Sequence, residues 1–137
     1  MKMTVEELFQ TPYHIIDILP AQVPMDGPGQ FFNVEKWFME TDQLKAVKEK
    51  HIRLILKLNC YRDISLDEYG KINPLPEQIA DAVMKRHVCI LADNTMMVSE
   101  PDETCLTVFN ADEQLLSLLR TLATGEGLYM WRPENEL

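Results

Sequence analysis

His87 and Cys89 stand two residues apart, and on an extended strand that spacing puts both side chains on one face. An imidazole beside a thiol can serve as base and nucleophile, or the two can share a metal ion. A tetrahedral zinc site draws on three or four protein ligands, and no second local cluster supplies them at a recognisable spacing. The expectation is therefore no metal and no cofactor. Cys89 lies in Val88-Cys89-Ile90-Leu91 and Cys105 in Cys105-Leu106-Thr107-Val108, where a free thiol behaves as a small buried hydrophobe.

The remaining candidates are weaker. Three cysteines, Cys60, Cys89 and Cys105, are an odd number without a C-x-x-C pair, which suits reduced thiols. Cys60 and His51 fall on opposite sides of one helix, too far apart along it to chelate together. His14 begins a strand and His51 lies on an apolar helical stripe, so both read as hydrogen-bonded core or boundary residues. Asp63, Asp67 and Glu68 read as a solvated turn. Gly125-Glu126-Gly127 follows a helix and precedes a strand, the reverse of a phosphate-binding order, so it reads as a helix terminator. No nucleophile elbow, zinc-protease helix, EF-hand loop or kinase signature occurs. No catalytic residue is assigned.

Charge is more informative. The chain carries 22 acids and 13 bases among 137 residues, a net charge of -9, which opposes attraction to polyphosphate or anionic lipid. Nucleic-acid and membrane-surface roles are excluded on that ground. Residues 61–137 hold 14 acids and 6 bases, while residues 1–60 are nearly balanced. Glu100, Asp102 and Glu103 concentrate the excess between two strands. Glu6 and Glu7 stand where a secretory signal would be apolar, and no apolar run approaches the ~18 residues of a spanning helix. A cytoplasmic protein is expected.

These residues must be positioned by regular elements. Thr4-x-x-Glu7 has capping-box spacing and opens a short helix over about residues 4–10, stopped by Thr11-Pro12. Residues 13–19 are β-branched and aromatic and predict a strand; residues 20–30, with three prolines and two glycines, predict a loop. The aromatic run Phe31-Phe32-Asn33-Val34-Glu35-Lys36-Trp37-Phe38 predicts a strand returning antiparallel to the one around Ile16. Leu44, Val47, His51, Leu54, Ile55 and Leu58 predict a helix over residues 42–59, with Lys45, Lys48, Glu49, Arg53 and Lys57 on its solvated face. Ser65-x-x-Glu68 predicts a turn or two of helix, and Pro76 the first turn of a longer one. Three short apolar segments from Val88 to Phe109 predict a meander. A helix opening at Asn110 and closing at Gly125, then extended residues 128–131 and a frayed tail at 133–137, complete the chain.

The predicted architecture is a single α+β domain over residues 1–137, a mostly antiparallel sheet of about four to six strands with helices packed on one face. The function that composition favours is a non-enzymatic protein-protein interaction module, of adaptor, inhibitor or immunity type. It would present an acidic surface within residues 61–137 to a basic protein, with Glu100, Asp102, Glu103 and Trp131 as contact residues. The alternative is a small-molecule-binding domain or enzyme with a pocket near His87 and Cys89. A third expectation is self-association through Phe31, Phe32, Trp37 and Phe38.

Overall fold

The computed structural model describes residues 2–133; most of the expected frayed tail lies outside them. In chain order the elements are α1 (Val5–Leu8), β1 (Tyr13–Asp17), α2 (Phe31–Glu40), α3 (Gln43–Asn59), β2 (Ser65–Leu66), α4 (Pro76–Lys85), β3 (Val88–Ala92), β4 (Thr95–Ser99), β5 (Leu106–Phe109), α5 (Glu113–Gly125) and β6 (Tyr129–Trp131). Six strands form one antiparallel sheet in the order β2-β3-β4-β5-β1-β6. The expected α+β architecture is thus observed. Among the described residues no helix is long and apolar enough to cross a membrane.

Side-chain alternation divides the sheet into two faces. Val88, Ile90, Met97, Leu106, Val108 and Ile16 face α3, α4 and α5, whose Leu54, Ile55, Leu58, Ile79, Val83, Leu115 and Leu119 complete the main core. On the opposite face, Cys89, Leu91, Met96 and Phe109 are covered by Leu8 of the single-turn α1. The capping box forms there: Thr4 Oγ1 accepts from the Glu7 amide at 3.1 Å, and the Glu7 carboxylate accepts from the Thr4 amide at 2.9 Å.

Four expectations are corrected. Residues 31–40 are helix α2, not a strand. Both sides of β1 are already taken, by β5 and β6, so no strand could return beside it. The Ser65-x-x-Glu68 spacing makes no helix: Ser65 pairs with Leu91 and bridges Ile72, and Asp67 adopts a left-handed backbone, φ 63°. The cap of α5 is Asp112, whose carboxylate accepts from the Leu115 amide at 2.8 Å, while Asn110 takes a left-handed turn. The helix ends in a Schellman motif. Leu128 donates to the Ala123 carbonyl at 2.8 Å and Gly127 to Thr124 at 3.0 Å. The helix ends at Gly125, as expected, and Gly127, at φ 75°, reverses the chain. The fourth correction is Lys48, which is 2% exposed and not on a solvated face.

Candidate functional site

The β3–β4 register brings His87 and Cys89 to one side, as their spacing predicts. Cys89 Sγ lies 3.7 Å from His87 Nε2, and His87 Nδ1 lies 2.8 Å from a Glu100 carboxylate oxygen. By distance this is a thiol-imidazole-carboxylate relay. Its electrostatics oppose a resting thiolate. Burial, followed by the negative charges of Asp67 and Glu100, pushes the Cys89 thiol up to about 11. Cys89 is buried among Leu8, Leu91, Met96 and Phe109, whereas His87 is exposed. A nucleophile needs both ionisation and access, and this thiol is disfavoured on both counts.

The same face continues across the sheet. Cys89 pairs with Val98, Val98 with Thr107, Thr107 with Ile15 and Ile15 with Trp131. Paired residues share a face, so the row carries His87's neighbour at one end and Trp131 at the other. Trp131 is half-buried, and its indole N–H donates to the Leu19 carbonyl at 3.1 Å. The polar atom of this expected contact residue is therefore already used within the chain.

The acidic turn between β4 and β5 is latched from beneath. Lys48 donates to the Ser99 hydroxyl at 2.9 Å and to the Glu100 carbonyl at 2.7 Å. Burial pushes its amine down to about 8, against the opposing pull of Cys105, Glu103, Glu100 and Asp102. His51 Nε2 lies 3.2 Å from the Thr104 carbonyl, a contact in which the nitrogen donates, while its buried Nδ1 has no partner among the described residues. Burial and then the Lys48 charge push His51 down to about 3. Thr104 also donates to the Asp17 carboxylate at 3.1 Å, a group raised chiefly by burial. Glu100 and Glu103 are both engaged, with His87 and with the Cys105 thiol at 3.6 Å. Part of the acidic trio thus offsets a buried cation. Burial, ahead of Asp17 and Glu103, holds the Cys105 thiol up at about 12.

Lys48 escaped the sequence reading because its charge outweighed its position. It stands four residues from both Leu44 and Ile52, on the same helical line. Several other acids of residues 61–133 lie away from this turn. Asp93 sits at the opposite end of β4, in the β3–β4 turn, and Asp67, Asp81 and Glu126 pair with Arg86, Lys85, and Arg53 with Lys57.

Beside the latched turn lies α2. Its ten residues include no buried one. Phe32 is 67% and Trp37 52% exposed, and Met25 in the preceding loop is 92% exposed. Phe31 and Phe38 are half-buried and stack edge-on with these rings, Phe31 against Phe32 at 5.4 Å and Trp37 against Phe38 at 5.1 Å. A small cavity of about 30 Å³, lined by Asp17, Leu19, Phe31, Val34, Glu35 and Thr104, joins α2 to the acidic turn. An apolar groove of about 180 Å³ lies on the other flank, between the Pro/Gly loop and Phe31 and Phe32. Phe31, Val34 and Glu35 of the aromatic segment and Thr104 after the acidic turn, distant in sequence, therefore line one cavity.

Comparison with protein-family models, with curated proteins and with solved structures finds no match to this chain. Among the described residues no group of three or more His, Cys, Asp or Glu side chains is arranged to hold a metal ion.

Proposed function

We propose that this protein is a non-enzymatic interaction module that docks a basic partner protein on the end of the molecule formed by α2 and the β4–β5 turn. One observation carries this reading: a ten-residue helix rich in aromatics buries none of its residues within its own chain. An unpartnered apolar surface of this kind marks interaction sites. Exposed Trp and Phe supply rigid anchors at low entropic cost.

Charge selects the partner. Glu35, Glu40 and Asp42 stand on or beside α2 with Lys36 as the single base, and exposed Asp102 and Glu103 lie past the shared cavity. A second copy of this chain would bring like charges together, whereas a basic surface with apolar side chains is complementary in both respects. The relay at Cys89 does not favour the enzymatic alternative, because its thiol is protonated and buried.

The test is a pull-down from native extract with the intact protein, with W37A and with F32A as baits. The expected result is a basic partner retained by the wild type at low salt, weakened at high salt, and lost from both variants. Retention that is indifferent to salt and to both substitutions overturns the reading. Sedimentation showing a dimer that W37A dissociates assigns the face to self-association instead.

A further inference from the structure

We propose that the cavity between the N-terminal segment, β2 and the β3–β4 turn binds a primary alkylammonium ion. It measures about 510 Å³, within the range of small-molecule sites. Two hydrogen bonds hold its N-terminal wall in place: the Met3 amide donates to Asn94 Oδ1 at 2.8 Å, and the Val5 amide to a Glu68 carboxylate oxygen at 3.0 Å. The cavity lies at the end of β4 opposite the acidic turn, so it is independent of the docking face on α2.

Ser65 is the residue that points to a ligand. It is 4% exposed and lines the cavity, yet its hydroxyl bonds to no other described residue. Buried hydroxyls are ordinarily paired, and leaving one unpaired costs stability. The β2–β3 register pairs Ser65 with Leu91, so the two side chains share one face of the sheet, and both line the cavity. Carried two residues further, the same register sets Asp63 across from Asp93, and these carboxylates line the cavity too. Asn73 Nδ2 donates to Asp63 Oδ1 at 2.9 Å, which leaves Oδ2 uncommitted. The Asp93 carboxylate has no partner among the described residues. Like charges set across a sheet destabilise it. A cation seated beside both relieves that repulsion.

The number and kind of acceptors select the cation. A primary ammonium carries three N–H donors, and Asp63 Oδ2, the Asp93 carboxylate and Ser65 Oγ offer three acceptor groups. Ile72 and Leu91 give the attached hydrocarbon chain an apolar wall. A bare divalent cation is a poorer occupant: magnesium and calcium take six or more oxygens, and among the described residues no three ligating side chains converge. Lys2, which is exposed, is the single base in the described lining, and the two carboxylates outweigh it.

Butylammonium chloride is the probe, titrated into the isotope-labelled full chain at constant ionic strength and followed by amide NMR shifts. The expected result is saturable shifts at Ser65, Leu91 and Asn94, absent with sodium and with tetramethylammonium, which has no N–H to donate. D93N keeps a residue type suited to the left-handed backbone at φ 52° and weakens binding at least tenfold, while S65A weakens it roughly three- to tenfold. K2Q tightens it. The free S65A protein melts at or above the wild-type temperature, because an unpaired hydroxyl is removed, so its loss of binding is not loss of fold. Nα-acetyl-lysine methylamide separates the two sources of the ammonium group: affinity equal to butylammonium assigns the cavity to a lysyl side chain, and weaker affinity to a free amine. Shifts that do not saturate, that tetramethylammonium reproduces, or that D93N and S65A leave unchanged overturn the site, as does an S65A protein that melts below the wild type.

Discussion

The ammonium of Lys48 donates to the hydroxyl of Ser99 at 2.9 Å, and both residues are buried. A helix thereby holds, through a cation, the end of the central strand that leads into the acidic turn. The arrangement has a signature in pH. Lys48 titrates near 8 in the folded chain against a usual 10.5, because burial disfavours its charge. Between those values the unfolded chain keeps a proton that the folded chain has released, so this group makes stability rise with pH. Cys89 and Cys105 act oppositely: raised to about 11 and 12 from 9, mainly by burial, they lower stability as pH climbs past 9. The amine's contribution is isolated by comparing the wild type with K48M in urea titrations. From pH 8 to 9 the difference moves by about 1 kcal/mol in favour of the wild type. Parallel curves for the two proteins would show that Lys48 is not buried as a cation.

His51 gives the acid counterpart. Burial, reinforced by the Lys48 charge, takes it from 6.5 to about 3 in the folded chain. As pH falls below 6.5 the unfolded chain gains a proton that the folded chain refuses, so stability declines toward pH 3 by up to about 1.4 kcal/mol per pH unit. H51Q flattens this limb in a pH series of thermal melts. K48M shortens the limb, ending it at a higher pH with a smaller total loss, because removing the neighbouring charge lets His51 accept a proton more readily.

The aromatic rings of α2 and the apolar residues of α3 respond differently to truncation. W37A and F32A change unfolding free energy by no more than about 0.5 kcal/mol, as is usual for surface sites. L54A, in the fully buried core, costs about 2 to 5 kcal/mol. Chemical denaturation of the three variants checks this. A loss above about 2 kcal/mol in W37A would mean that the indole packs internally.

Glu126 ties the end of α5 to α3. Its side chain is 7% exposed and accepts from Arg53 at 2.8 Å and Lys57 at 2.6 Å. Burial alone would raise its carboxyl, but the bonds from Lys57 and Arg53 together prevail and hold it below the usual range. Both bases are half in solvent, so the pair is screened. E126Q destabilises by about 1 kcal/mol in dilute buffer, and the deficit shrinks in molar salt. An unchanged midpoint at low salt rejects this contribution.

What was legible in the sequence is what short-range chemistry decides. The Thr4–Glu7 box, the stripe from Val47 to Leu58 and the turn at Asp93–Asn94 each depend on neighbours a few residues away, and each formed. What was not legible depends on distant partners. Phe31 to Phe38 satisfies both periodicities, and the choice was made by β6, about a hundred residues later, filling the place beside β1. Ser65 and Glu68 have the spacing of a cap, yet the Glu68 carboxylate accepts from the Val5 amide at 3.0 Å. Of the candidate site residues, His87 and Cys89 were found from spacing alone, because a strand's alternation is local. Their partner Glu100 reads in local sequence as one more acid of a turn, since only the β3–β4 pairing sets it opposite His87. The joining of the acidic turn to α2 through Asp17 and Thr104 has no trace in local sequence.

The position of β1 constrains how the chain comes off the ribosome. Among the described residues its strand partners are β5 and β6, which begin at Leu106 and Tyr129. During synthesis it must wait unpaired until residues 106–131 have been added, and pairings this remote slow productive collapse. The single-turn helix before it and the proline-rich stretch after it bracket that exposed segment. Arrival of β6, rather than formation of the long central helix, is then the event that lets the sheet close around β1.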